Sequence, residues 1–298
     1  MSGVIITGCN GLLGTKLASL VPDGREIIGI DIHGEPAAPN GLFAYESCDI
    51  NDQGRIADIF DRFRPDAVMH TAAFTHVDGC ETERQRAWDV NVKGTEHIAE
   101  SAKVHSARLI HLSTDYVFDG RNGPYREEDT SNPISHYGYT KLASEQAVNR
   151  IMDNAVIART MVLYGIEPHI RKNFLTWLLG KLTAGEPVTI VTDQYGNPTL
   201  ADDLAGVLWA LLDSGVRGIY HTAGRDWLNR FEFARAAAKC FGMDPGLIQP
   251  TTTERFNPPA PRPLKSGLIC EKLKRDLGIS MCSVSEGLET VKRQMESL

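Results

Sequence analysis

A chain of 298 residues with 42 % hydrophobic and 23 % charged residues has room for one large or two smaller domains around a sizeable core. Its net charge of −7 weighs against nonspecific binding to nucleic acid or to an acidic membrane, so an anionic ligand must be held by a local cluster. No apolar run approaches the ~18 residues that span a bilayer, and Val4-Ile5-Ile6 runs into glycines instead of a signal-peptide core, so a cytoplasmic protein is expected.

In chain order, short β-branched runs alternate with helical spacing. Val4 to Thr7, Glu26 to Ile30, Ala67 to Thr71, Arg108 to Ser113 and Ala155 to Ala158 read as strands. Leu12 to Leu20, Arg55 to Phe63, Glu83 to His105 and Tyr137 to Met152 read as helices. That order predicts an α/β fold of the Rossmann type, a doubly wound parallel sheet over residues 1–164. Asp115 to Asn132, rich in Gly, Pro, Asp and Asn, reads as a long functional loop. Beyond residue 165 helices are expected at Phe174 to Thr183, Ala201 to Ser214, Arg230 to Phe241 and Ser283 to Glu296. Residues 165–298 are therefore expected to form a smaller lobe, with about 200–225 returning to the sheet. The cysteines, Cys9, Cys48, Cys80, Cys240, Cys270 and Cys282, lack Cys-x-x-Cys spacing, and the nine histidines are scattered, so reduced thiols and no metal site are expected.

At the first strand-to-helix turn, Gly8-Cys9-Asn10-Gly11-Leu12-Leu13-Gly14 combines backbone freedom with the free N–H groups of a helix start, the arrangement that receives a pyrophosphate. An acid, Asp31, ends the second strand at the distance expected of a ribose-binding carboxylate. Dinucleotide binding follows. Asp31 would repel a 2′-phosphate and so favours NAD(H) over NADP(H), although a protonated His33 could receive that phosphate. Asp49-Ile50, after a third strand region, is placed to flank the adenine, and Ala72-Ala73, after the next, to let the cofactor pass close to the backbone. Arg171-Lys172 and Arg262-Pro263-Leu264-Lys265 are the local basic clusters.

Tyr137 and Lys141 stand four apart, on one face of a helix. A phenol is a poor acid at neutral pH, and a cation beside it stabilises the phenolate and lowers its pKa. A tuned tyrosine can exchange a proton with a substrate oxygen. The spacing alone is a short pattern that chance can supply, so it is read with the glycine loop and Thr114. Tyr139 is the decoy, with Ala143 at its i+4 position.

With Gly8-x-x-Gly11-x-x-Gly14, Thr114 and Tyr137-x-x-x-Lys141 in order, the chain resembles the extended short-chain dehydrogenase/reductase family and, more narrowly, the dTDP-4-dehydrorhamnose reductases. The matching strings are Ala72 to Glu81, Ser113-Thr114-Asp115-Tyr116-Val117-Phe118-Asp119-Gly120, Tyr137 to Leu142, Asp193-Gln194-Tyr195-Gly196-Asn197-Pro198-Thr199 and Pro261-Arg262-Pro263. The resemblance implies NADH- or NADPH-dependent reduction, at C4, of a nucleotide-linked 4-keto-6-deoxyhexose, as in dTDP-L-rhamnose biosynthesis. It implies that Tyr137 protonates the developing alkoxide, that Thr114 hydrogen-bonds the carbonyl oxygen and that Lys141 holds the nicotinamide ribose. It adds Asn10, Leu12, Leu13, Thr75 and Asn91 to the cofactor set. For the substrate it implies Thr75, Val77, Asp115, Tyr116, Val117, Phe118, Val162, Asn173, Phe174, Gln194 and Arg262, and it leaves a homodimer open.

Two departures matter. The family's Arg-Thr-x-Trp-x-Tyr-Gly appears here as Arg159-Thr160-Met161-Val162-Leu163-Tyr164-Gly165, so Val162 replaces an aromatic platform beside the sugar. Lys16 stands where some members carry a metal-binding glutamate at a dimer interface. Sugar-nucleotide 4,6-dehydratases need Asp-Glu after the threonine, whereas this chain has Asp115-Tyr116. Sugar-nucleotide epimerases share the Tyr and Lys. A non-enzymatic alternative is an NAD(P)-binding regulator similar to the β subunit of methionine adenosyltransferase, through Pro124-Tyr125-Arg126-Glu127-Glu128-Asp129 and the absent tryptophan.

Overall fold

The computed structural model describes residues 2–37, 41–168, 170 and 172–297. The first half runs β1 (Ser2–Thr7), α1 (Leu12–Ser19), β2 (Arg25–Asp31), β3 (Ala44–Ser47), α2 (Gln53–Phe63), β4 (Ala67–His70), α3 (Val77–Thr82), α4 (Arg84–Trp88), α5 (Gly94–Val104), β5 (Arg108–Thr114), α6 (His136–Ile151), β6 (Val156–Thr160) and β7 (Leu163–Tyr164). The second half adds α7 (Phe174–Thr183), β8 (Val188–Val191), β9 (Tyr195–Gly196), β10 (Thr199–Leu200), α8 (Ala201–Asp213), β11 (Gly218–His221), β12 (Leu228–Asn229), α9 (Arg230–Cys240), β13 (Ile248–Thr251), α10 (Thr253–Phe256), α11 (Glu271–Leu277) and α12 (Val284–Glu296).

Seven parallel strands form the main sheet in the order β11-β6-β5-β4-β1-β2-β3. Strand alternation distributes its side chains to two faces. Val4 and Ile6 of β1 enter one core with Leu13 and Leu17 of α1 and Leu204 and Leu208 of α8. Ile5 enters the other, with Ile56 and Phe60 of α2, Ile98 of α5 and Val148 of α6. Each fully buried aliphatic side chain of this kind contributes about 1.5–3 kcal/mol. Strand order reverses between β1 and β4, which opens a crevice at their carboxyl ends.

A third core holds the C-terminal lobe together, uniting Leu175 and Leu178 of α7, Phe233 of α9, Ile190 of β8 and Leu288 of α12. β11 leaves this half of the chain and closes the sheet edge beside β6. α9 and α12 begin with reciprocal caps, Asn229 with Glu232 and Ser283 with Glu286. The expected helix from Glu83 to His105 runs unbroken from Arg84 to Val104 as α4, a π-helical turn over Asp89–Lys93, and α5. That turn brings Asn91 inward, where it bonds the backbone of Phe74 and the Thr140 hydroxyl. No helix among the described residues is long and apolar enough to cross a membrane.

Candidate active site

The crevice begins at the glycine turn. Gly8 has φ +71°, and a Cβ there would stand 2.8 Å from the Ala72 backbone. A Cβ on Gly14 would stand 2.3 Å from the Gly8 carbonyl oxygen, so α1 can seat against the turn only with glycine there. Gly11 caps α1 without a side-chain hydrogen bond, which leaves the first-turn N–H groups facing the crevice with the positive end of the helix dipole. Asp31 accepts the Asn10 N–H at 3.1 Å on Oδ2, while Oδ1 takes the His33 Nδ1 at 2.6 Å and its N–H at 3.3 Å. The cradle and its terminal carboxylate fit a dinucleotide.

Other residues expected at the cofactor divide into two groups. Ala72 and Ala73 follow β4 into the crevice, Thr75 is exposed beside them, and Asp49 is exposed after β3. The side chains of Leu13 and Ile50 are packed in the two sheet cores, so Leu13 offers a cofactor its backbone, and Ile50 fills the space against Gly94. Asn91 is likewise fully buried and positions Phe74 instead of presenting its amide to a ligand. Of the pair Arg171-Lys172, Arg171 lies outside the described residues and Lys172 is exposed.

Thr114 ends β5 and Tyr137 opens α6 after the Ser135 cap. Gly138 lets the two meet, since a Cβ on it would strike the Tyr116 carbonyl oxygen at 2.2 Å. The Tyr137 ring stands edge-on to Tyr116 with centroids 5.4 Å apart. Burial pushes the Tyr137 phenol above its ordinary pKa, with the neighbouring Thr114 hydroxyl acting to lower it. It is therefore a proton donor at neutral pH. Lys141 differs from expectation. Its ammonium donates to the Leu112 carbonyl at 2.8 Å, and the largest influence on Tyr137 is burial. Burial pushes Lys141 down to about 8, with Glu145 acting in the opposite direction.

Beyond this pair lies a cleft lined by Asp115, Tyr116, Val162, Gln194, Tyr195 and Arg230. Asp115 is buried and its carboxyl is raised by that burial; it accepts the Thr114 hydroxyl at 3.1 Å and the Ser266 hydroxyl at 2.7 Å. Val162 has φ +48°, a left-handed backbone that a β-branched residue rarely adopts, and so carries local strain. Gln194 is tied to Thr253 at 3.0 Å. Arg262 reaches the same cleft wall with one guanidinium nitrogen on Asp78 at 2.7 Å. Thr75 and Val77 lie on the loop and helix behind, Val77 packing in the cluster that holds Tyr137.

Val117 and Phe118 are fully buried, Phe118 stacked on Tyr125 at 4.2 Å, so neither offers a surface to a substrate. They support the loop from beneath. Asn173 spends its side chain capping α7 and on the Gly165 carbonyl. Phe174 lies under the Arg230 guanidinium, 5.4 Å from its centroid. Arg230, which the sequence motifs do not single out, forms no hydrogen bond or ion pair through its guanidinium among the described residues; burial lowers its pKa while Tyr116 and Asp115 act to raise it. The Arg230 guanidinium, without a partner carboxylate among the described residues, thus lines the cleft, with Arg262 near it.

Residues 1–297 match the family model described as the RmlD substrate binding domain. The chain is 37 % identical over 273 residues to a dTDP-4-dehydrorhamnose reductase of Mycobacterium tuberculosis, covering 89 % of this chain and 84 % of that protein. It is 33 % identical over 291 residues to a probable low-salt glycan biosynthesis reductase of Haloferax volcanii, covering 96 % of each. Among solved structures it is similar to a dTDP-4-dehydrorhamnose reductase of Bacillus anthracis in complex with NADP, with a TM-score of 0.90 at 30 % identity, over 99 % of this chain and all of that one.

Proposed function

The chain belongs to the RmlD family of dTDP-4-dehydrorhamnose reductases, and from that premise we propose that it reduces the C4 keto group of a nucleotide-linked 4-keto-6-deoxyhexose, dTDP-4-dehydrorhamnose above all, with NADH or NADPH. The observation that supports this most is that Thr114, at the end of β5, and Tyr137, in the first turn of α6 edge-on to Tyr116, stand beside the cleft that Asp115 and Tyr116 line.

When bound, the nicotinamide supplies the hydride. The residues of the chain do the rest. Tyr137, held protonated by burial, gives its phenolic proton to the oxygen that was the carbonyl, and Thr114, turning its hydroxyl away from Asp115, donates a hydrogen bond to the same oxygen as its charge develops. Lys141 carries positive charge at neutral pH and would hold the nicotinamide ribose from α6, beside the Leu112 carbonyl to which it donates. Arg230 and Arg262 flank the cleft as the diphosphate clamp, Arg230 with its guanidinium still unpaired. In this reading residues 1–164 hold the dinucleotide and 165–298 mainly the sugar nucleotide, with about 200–225 returned to the sheet.

The stretch that suggested a regulator has a structural role. Tyr125 stacks on Phe118, Arg126 pairs with Glu271 at 2.6 Å, and Glu127 accepts the His221 N–H at 2.9 Å, so it joins the loop to the C-terminal half. For the dehydratase reading, the second acid of the pair is absent, since Tyr116 follows Asp115.

The test is an NADH and NADPH oxidation panel over 4-keto sugar nucleotides, with Tyr137→Phe as control. Net oxidation by a keto sugar separates reduction from epimerisation. The variant should still bind the cofactor and lose roughly 100- to 10,000-fold in turnover. Near-normal turnover in Tyr137→Phe would remove the assignment, and copurification with a synthetase subunit without any turnover would favour the regulator.

A further inference from the structure

One helical turn beyond Lys141, the same face of α6 carries Glu145, and its carboxylate is buried. Oε2 accepts Arg159 Nη2 at 2.6 Å, and both side chains are 3 % exposed. Oε1 accepts Arg159 Nε at 2.9 Å and the Ser113 hydroxyl at 2.5 Å. Ser113 immediately precedes Thr114 and stands opposite Arg159 in the β5–β6 register. The Leu112 carbonyl, one residue earlier, is the acceptor for Lys141. A single carboxylate therefore ties α6 to the ends of the two strands beside the reaction site. A buried ion pair of this kind is seldom worth more to stability than well-packed apolar side chains of the same volume. Its geometry, in contrast, is highly constrained.

We propose that Glu145 is a positioning residue for this reaction: through Ser113 and Arg159 it sets the height of Thr114 and holds α6, with Lys141 one turn away, against the end of β5. The inference rests on the reductase reading above. Around Lys141, β4 contributes His70 and β5 contributes His111, both kept neutral by burial, with Lys141 itself as a further cause. α6 contributes Tyr137, a neutral phenol, and Glu145; β6 contributes Arg159; and the turn after β5 contributes the buried Asp115. From the π turn and α5 the nearest inward groups are Asn91 and Thr95, which are uncharged, while Asp89-Lys93 and Glu96-Arg150 pair on the outer surface. Glu145 is accordingly the charge that opposes desolvation of Lys141.

Two variants separate the two roles. Glu145→Gln keeps the shape and removes the charge. Because it leaves Arg159 buried without its partner, the double variant Glu145→Leu/Arg159→Met supplies a charge-free counterpart that keeps the packing. Glu145→Asp keeps the charge but draws it back from Ser113. With lysine labelled with carbon-13 at Cε, the Lys141 resonance should titrate near 8 in the parent protein. In Glu145→Gln its midpoint should fall by roughly one pH unit, with a smaller fall in the double variant, and the alkaline limb of the kcat profile should move with it. Cofactor affinity, read by NADH fluorescence titration, should begin to weaken at a correspondingly lower pH. In Glu145→Asp the midpoint should stay in place while kcat falls roughly tenfold or more, with little change in KM for the sugar nucleotide. An unmoved Lys141 midpoint in folded Glu145→Gln or in the double variant overturns the electrostatic role, and unchanged kcat in Glu145→Asp overturns the positioning of Thr114. Failure of the reductase reading is a separate result: no keto sugar would oxidise NADH in the parent protein, while the Lys141 titration would still report on Glu145.

Discussion

At the scale of single residues, the chemistry depends on how burial treats each polar group. Tyr137 and Lys141 were legible from their spacing, but the way they act together was not. Spacing implies a cation lowering the pKa of a phenol, whereas the folded chain aims that cation at the Leu112 carbonyl and raises the phenol by desolvation. Desolvation depends on neighbours distant in sequence, and no local pattern carries it. Arg230 was missed for a related reason: as the first residue of an amphipathic helix it reads like any solvated arginine, and only the meeting of α9 with the 115–116 turn reveals it. This assigns it a measurable role. Arg230→Met keeps the apolar stem over Phe174 and removes the charge, so KM for the nucleotide sugar should rise roughly 10- to 100-fold, the worth of a charged hydrogen bond, with kcat changed far less. Steady-state kinetics at fixed NADH checks this, and an unchanged KM would place the diphosphate elsewhere.

At the scale of elements, legibility followed the strength of local signals. α7 was legible to the residue, and α9 and α12 to within one residue, because Asn173, Asn229 and Ser283 each make a reciprocal cap with the residue three positions on. The region from Glu83 to His105 reads as one helix and is one, while the π turn within it leaves no local sequence signal. α3 and α11, six and seven residues long, are too short for periodicity to register. The β1–α1 junction is the element whose geometry was most completely readable, and it is correspondingly sensitive. Gly14→Ala places a methyl 2.3 Å from the Gly8 carbonyl oxygen, so α1 must shift away from the turn. Urea unfolding should show a loss of roughly 1–3 kcal/mol, and calorimetric titration a weaker NADH complex. Wild-type affinity in that variant would mean that the first turn of α1 does not touch the pyrophosphate.

At the scale of the whole molecule, the doubly wound order followed from the alternation of strands and helices, while the short strand pairings of the C-terminal lobe, β12 with β9 and β13 with β8, did not, since two- and four-residue strands that pair across long sequence separations leave no local pattern. Burial across all these layers also leaves three neutral histidines among the described residues, one in each of β4, β5 and β11. His70 bonds Thr7 at 2.7 Å and Thr95 at 3.0 Å, His111 bonds Ser144 at 2.9 Å, and His221 stands edge-on to Phe118. Burial pushes His70 and His221 down to about 3 and His111 well below its ordinary value. The sign of the linkage follows. The unfolded chain takes up these protons as pH falls through about 6.5 while the folded chain does not, so their contribution is present above that pH and is lost progressively toward 3. Each histidine accounts for about 1.4 kcal/mol per pH unit within the window. Asp115 and Glu127, whose carboxyls are raised by burial, act in the opposite direction, because the folded state retains their protons at pH values where the unfolded state has released them. A single stability curve therefore mixes both contributions, and a difference between variants separates them. His221→Phe fills the same aromatic space without a titrating ring, so urea unfolding at pH 7, 6, 5 and 4 should show the variant gaining on the parent by about 1.4 kcal/mol for each unit below 6. A pH-independent difference would show that His221 takes up its proton equally in the folded and unfolded chains.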